Sequence, residues 1–309
     1  MSHSSHVRCL QDEVEPFGAF DNSEWPGWMP LAALASCAVA TRDLLKPWQF
    51  MWCLAFAIFF GLKWLTWWKA RRNVAHAGWR SVAYLLAWPG MDAKAFLNPG
   101  ERVPSPPVRS WAAAASTTAF GAILIWTVAR TIPPEEPLVR GWLGMLGLIV
   151  LLHFGIFQLL ALVWQVFGVN AKPIMTKPLR SESLAEFWGK RWNLGFRQLS
   201  YDLIFKPLRP KLGVAGASLL VFVVSGLIHD LVISFPARAG YGLPTVYFTL
   251  QGLLVLFERS AIGHAIRIQN GARGWLFAVL ATAAPCYWLF HPAFVRQVIL
   301  PFMEIIRAI

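Results

Sequence analysis

Charge is what this chain has least of. Only 14% of its 309 residues are Asp, Glu, Lys or Arg, against about 25% in a soluble domain. Acids are the scarcer sign, 16 against 28 Lys and Arg, which leaves a net charge of +12. No basic run resembles a nucleic-acid tail, so nucleic acid is not an expected partner. The four cysteines (Cys9, Cys37, Cys53, Cys286) have no CxxC spacing and the histidines no metal-like clustering, so neither disulfides nor a metal site is indicated. The first 24 residues lack a short apolar core behind a basic start, which argues against a cleavable signal peptide. Internal repeats and low-complexity tracts are missing too.

Apolar residues fill the space that charge leaves. They make up 56% of the chain, with 17 Trp and 22 Phe, and the mean hydropathy is +0.48. Long apolar runs occur at Trp28–Ala40, Trp48–Trp68, Trp111–Ala129, Trp142–Phe167, Leu212–Ser234, Thr245–Phe257 and Gly274–Leu300. Runs of this kind read as membrane spans, the first and sixth being short enough for tilted or re-entrant pieces. Trp28, Trp48, Trp111 and Trp142 open four of them, as in an interfacial aromatic belt. The 172–211 loop carries nine Lys and Arg against Glu182, Glu186 and Asp202; the 69–80 and 259–273 loops are basic as well. The intervening loops are balanced or nearly uncharged, so alternate loops are basic and the positive-inside rule places those in the cytoplasm. The expected architecture is all-α: a multi-pass membrane protein of about seven transmembrane helices plus an interfacial cytoplasmic helix, its N-terminus cytoplasmic. A polar segment 1–27, surface-lying or mobile, precedes one membrane domain, 28–309.

Two stretches stand out chemically. The run from Leu212 to Ile228 holds no charged residue, yet ends in Ser225-Gly226-Leu227-Ile228-His229-Asp230. Ionisable groups in spans are costly and usually face a cavity or do chemistry, although an inert interfacial pair is the simpler alternative. The second stretch is Glu186-Phe187-Trp188-Gly189-Lys190-Arg191-Trp192-Asn193-Leu194 in the long basic loop. Ser183 and Glu186 form an S-x-x-E capping box, which predicts a helix starting there and stopping near Pro207. On such a helix Trp188 and Trp192, Asn193 and Arg197, and Arg197 and Tyr201 lie one turn apart. An interfacial anchor helix explains its aromatics and bases, but not Asn193.

Together with Trp88-Pro89-Gly90-Met91-Asp92 and Phe96-Leu97, these stretches resemble the membrane-bound O-acyltransferases, in particular their wax-synthase-type branch. The aromatic-rich motif looks like the one that ends in the family's functional Asn. The segment holding His229 looks like the one with its catalytic His. The resemblance implies transfer of a long-chain acyl group from acyl-CoA to the hydroxyl of a lipophilic acceptor, with membrane lipids as neighbours and no cofactor beyond acyl-CoA as substrate. His229 is then the expected general base. Asn193 is the expected donor to the thioester or developing oxyanion. Trp188, Trp192, Arg191, Arg197 and Ser225 are candidate substrate-binding residues, with Lys190, Arg191 and Arg197 either contacting the CoA phosphates or merely setting topology. Asp230 is expected to orient a loop or pair with a base, and His153 to pack structurally. His76, His264 and His291 read as interface or loop residues.

Other enzyme patterns fit less well. The chain has no HHxxxDG or HxxxxD motif, no paired histidines beside a cysteine and no aspartate-rich magnesium site. A transporter would ordinarily carry several intramembrane acids or Gly- and Pro-broken half-helices. A non-catalytic scaffold requires that His229 and Asn193 be replaceable. Within the acyltransferase reading, a long-chain alcohol is the leading acceptor and a sterol or diacylglycerol the alternative.

Overall fold

The computed structural model describes residues 25–72, 74, 78–100 and 103–309. His76, Cys9 and nearly all of the expected N-terminal segment lie outside them. The described residues are helical and loop, with no strand. Apart from short turns, eleven helices organise the described residues: α1 Trp25–Ala40, α2 Pro47–Ala70, α3 Gly78–Ala87, α4 Ala93–Leu97, α5 Val108–Thr131, α6 Pro137–Val166, α7 Leu194–Ala237, α8 Leu243–Glu258, α9 Ala261–Ile266, α10 Gly271–Leu289 and α11 Pro292–Ile305.

Four of these (α2, α5, α6 and α7) are long and apolar enough to cross a membrane, and a fifth is added if α10 and α11 make one broken span. The seven runs therefore do not become seven span-length helices. α1 and α8 are 16 residues each, shorter than the roughly 20 residues that a hydrocarbon core requires. The last run is bent by 61° between α10 and α11, where His291 caps the new helix. In each of the four spans a third or less of the apolar window is buried within the protein. The remainder, such as Phe56, Phe120, Leu146 and Leu227, faces outward, as bilayer hydrocarbon demands. The protein is an integral membrane protein.

α7 is the element that positions the site. The expected stop at Pro207 is not there: the helix runs through Pro207 and Pro210 and breaks at Gly213, whose φ of 67° and ψ of 179° suit glycine alone. A π-turn at Tyr201–Phe205 lies just before Pro207, and the widened turn accommodates a residue that has no N–H to give. Beyond the kink, α7 packs antiparallel to α8. Gly226 lies against the Thr245 backbone and Gly252 against Phe222, so tightly that an added Cβ would approach to 2.6 and 3.0 Å.

Candidate active site

The aromatic-rich motif folds into three pieces rather than one helix. Ser183 accepts from the Glu186 N–H at 3.0 Å and caps a short turn, Leu184–Glu186. The Glu186 carboxylate, however, turns to the Glu182 N–H at 2.7 Å, so the capping box is only half formed. A π-turn, Phe187–Arg191, follows; Trp192 is extended, and Asn193 adopts a left-handed conformation at φ 41° and ψ 61°. Asn is among the few side chains that tolerate this region. From there Asn193 is the N-cap of α7, its Oδ1 accepting from the Phe196 N–H at 3.2 Å. With Oδ1 committed to the cap, the two Nδ2 donors are left, and they have no protein partner among the described residues.

His229 approaches from the other half of α7. Its Nδ1 is 2.7 Å from the Ser225 carbonyl. A carbonyl only accepts, so Nδ1 carries the proton and Nε2 keeps the lone pair. The Phe248 ring packs against the imidazole, centroids 4.3 Å apart. A π-turn, Asp230–Ser234, begins at the next residue. Asp230 does not face the ring: its carboxylate accepts from the Gly242 N–H at 2.8 Å, the Thr245 N–H at 3.0 Å and the Thr245 hydroxyl. It thus takes the loop-orienting role, tying α7 to the start of α8.

One cavity of about 350 Å³ joins the two motifs, a size usual for small-molecule sites. Of the residues picked from sequence, His229, Asn193, Trp188, Trp192, Arg197 and Ser225 all line it. Arg191 is placed otherwise, outside the lining. Its guanidinium pairs with Glu186 at 2.7 and 2.9 Å, closing the π-turn. The Glu186 carboxyl sits below the ordinary glutamate value: burial pushes it up, but the Glu182 N–H and Arg191, with help from Lys190, pull it down further. His153 lies elsewhere, in a π-turn against Phe157. His264 is exposed on α9. His291 is a buried residue of the link between α10 and α11, its Nδ1 accepting from the Phe294 N–H.

Several lining residues carried no mark in the sequence. Phe222 and Phe248 form an aromatic wall with Trp188, at centroid distances of 5.7 Å each, and Phe196, Ser200 and Arg259 are also in the lining, as is Tyr201, noted above only for its spacing from Arg197. Beyond its kink, the lining of α7 runs from Val214 to His229, a rise of about 22 Å. Because α8 is antiparallel, Arg259 at its end falls beside Val214. The cavity therefore has a basic end and an imidazole end, with an apolar wall between them.

Residues 171–251 match the model of the membrane bound O-acyl transferase family, a segment that contains both Asn193 and His229. Over 144 residues the chain is 32% identical to a long-chain-alcohol O-fatty-acyltransferase of Simmondsia chinensis, covering 42% of this chain and 40% of that one. It is 26% identical over 147 residues to a probable long-chain-alcohol O-fatty-acyltransferase 7 of Arabidopsis thaliana (43% and 42%). It is 29% identical over 154 residues to the acyl-CoA–sterol O-acyltransferase 1 of the same plant (44% and 42%). The chain thus spans about two fifths of the length of the curated relatives it matches. The resemblance to membrane-bound O-acyltransferases of the wax-synthase type stands. Its third piece, Trp88–Asp92, lies outside the segment that the family model matches.

Proposed function

We propose that this protein transfers a long-chain acyl group from acyl-CoA to the hydroxyl of a lipophilic acceptor, with a long-chain alcohol as the leading acceptor and a wax ester as product. The observation that supports the reading is the shared cavity, whose lining includes both His229, with its Nε2 lone pair, and Asn193, with its Nδ2 donors. Nε2 takes the hydroxyl proton as the alcohol oxygen attacks the thioester carbonyl. Nδ2 donates to the oxygen that becomes negative in the tetrahedral intermediate. Collapse breaks the C–S bond, and the thiolate leaves with the proton that the imidazolium returns, so ester and CoA are the products. Thiolate is a good leaving group, so neither a covalent nucleophile nor a cofactor is called for.

The cavity's length supports an elongated substrate, its anionic group at Arg259 and its carbonyl near His229. Trp188, Trp192, Phe222 and Phe248 keep water from the thioester, where hydrolysis would compete. The basic 172–211 loop faces the cytoplasm in this reading, as does the N-terminus, so acyl-CoA arrives from the aqueous side and the acceptor from the bilayer. A sterol acceptor is the second reading, favoured by the similarity to the sterol acyltransferase; diacylglycerol is a third candidate.

The test is ester formation by protein in lipid nanodiscs with labelled acyl-CoA and a panel of alcohols, a sterol and a diacylglycerol. Each buried methylene contributes about 0.8 kcal/mol, close to fourfold per carbon. Rates with linear alcohols at equal aqueous concentration should climb with chain length until the wall is covered. A flat profile with efficient sterol esterification would move the assignment to sterols. Absence of CoA release with every acceptor would refute the enzyme reading and favour a transporter.

A further inference from the structure

Lys63 is fully buried in α2, about 10 Å in from the helix end at Ala70. A lysine at such a depth is costly and calls for a partner. Among the described residues no carboxylate pairs with it. Instead Nζ donates to the Gly90 carbonyl at 2.7 Å and lies 3.1 Å above the centre of the Tyr84 ring. Tyr84 is itself fixed: the Thr66 hydroxyl donates to the carbonyls of Leu62 and Lys63, so the Tyr84 hydroxyl donates to Thr66 Oγ1 at 2.7 Å.

Gly90 belongs to Trp88-Pro89-Gly90-Met91-Asp92, the motif to which the cavity gives no role. A Cβ on Gly90 would lie 2.4 Å from the Trp88 indole nitrogen, so only glycine fits the fold of this segment. On its far side the segment meets α7 at Gly195, where an added Cβ would come within 3.1 Å of the Met91 nitrogen and 3.7 Å of Gly90 Cα. Gly195 is two residues past Asn193, in the first turn that Asn193 caps. A continuous packed path therefore runs from the Lys63 ammonium through the Gly90–Met91 backbone to the turn that aims the Asn193 amide.

We infer that Lys63 is a positioning residue for Asn193, acting through the Gly90–Met91 segment wedged against Gly195. The inference rests on the acyltransferase reading of Asn193 given above. Losing the Nζ–carbonyl bond frees Gly90 to shift, and the capped turn shifts with it. A displacement of about 1 Å at a reacting group costs on the order of 100-fold in rate.

The experiment compares Lys63→Met and Gly195→Ala, each alone and combined with Asn193→Gly, in nanodiscs, by acyl-CoA turnover and thermal unfolding. Lys63→Met should lower kcat by about 10–100-fold with little change in KM for acyl-CoA, and should have no further effect once Asn193 is glycine. Gly195→Ala, which disturbs the same contact without touching the membrane-buried lysine, should behave alike and carries the test if Lys63→Met does not fold. Wild-type kcat in either folded variant would overturn the inference. So would losses that multiply with that of Asn193→Gly, the mark of a merely structural role. If Asn193→Gly itself keeps wild-type turnover, it is the catalytic reading of Asn193 that fails, separately from this inference.

Discussion

Replacing Asn193 by alanine is the obvious test of the donor role, and the structure shows why it is a poor one. Alanine loses three things at once: the cap to Phe196, tolerance of a φ of 41° and the Nδ2 donors. Loss of the cap costs about 0.5–2 kcal/mol, and a left-handed alanine about 1–2 kcal/mol, so the variant sacrifices stability whether or not the donors matter. Asn193→Gly separates the effects. Glycine accepts the backbone conformation, and at an N-cap it costs only about a few tenths of a kcal/mol. It has no donor, so turnover should drop by about 10²–10³-fold, as when an oxyanion donor is removed. Asn193→Asp keeps an acceptor for the cap and tolerates the same φ, but aims a carboxylate at the developing oxyanion, so it should be folded and at least as inactive. The assay is single-turnover acyl transfer from acyl-CoA to a long-chain alcohol, with thermal unfolding in parallel and KM for acyl-CoA held as the control. Folded glycine and aspartate variants that turn over like wild type would refute the donor assignment. A glycine variant as unstable as alanine would refute the account of the cap.

The remaining expectations are simpler. His229→Ala should fold, since the ring's hydrogen bond stays within its own helix turn, and should lose about 10²–10⁴-fold in kcat, read by CoA release. Asp230→Asn puts an N–H₂ where an oxygen now accepts from Gly242 or Thr245, so the melting temperature should fall, the cost being about 1–3 kcal/mol. Glu186 has its carboxyl held below the ordinary value of 4.5; its contribution is complete above that value and is lost as pH falls through the lowered one. Acid-induced change in Trp fluorescence below pH 4.5 should therefore be reduced in Glu186→Gln, whereas an identical acid transition would show that this carboxylate does not matter. Single cysteines at Lys177 and Arg238, in a cysteine-free background, should label from opposite sides of the membrane.

Much of this was legible in the residues. Apolar runs foretold the helices because bilayer hydrocarbon imposes a length and an absence of charge. They do not map one to one onto span-length helices, because a run says nothing of where a helix bends, as at His291, or stops short, as in α8. Pro207 misled because the π-turn upstream that accommodates it leaves no trace in composition, while Gly213, where α7 does break, lies inside an apolar run and carries no mark there. Helical periodicity put Asn193 inside a helix; it heads one instead, though Arg197 is still one turn away, its N–H donating to the Asn193 carbonyl at 3.0 Å. Arg191 reads from sequence as contacting a phosphate or setting topology; its pairing with Glu186 across the π-turn is a local contact that charge alone does not reveal. Phe248 was invisible for the opposite reason: a phenylalanine in an apolar run carries no chemical mark, and only its packing on His229 gives it a role.

The two motifs are far apart along α7 and separated by a kink, so neither can set the position of the other. α8 does so, along one stripe spaced at helical intervals. Thr245 takes Asp230, and Phe248 takes the His229 ring. Gln251, fully buried, accepts from the Trp188 indole at 3.2 Å and donates to the Ala281 carbonyl at 2.7 Å. At the far end Glu258, also buried, accepts from the N–H groups of Leu184 and Ala185 at 2.5 and 3.1 Å, where the aromatic motif begins. Buried polar groups that are fully bonded specify one arrangement over others of similar apolar burial. An apolar α8 could fill the same space and yet slide by a turn against either motif. With three hydrogen-bonded contacts and one ring contact, two to the His229 segment and two to the aromatic motif, a slide would strand a buried amide and a buried carboxylate. That is the physical reason a 16-residue helix with no catalytic group of its own governs whether His229 and Asn193 meet at one cavity.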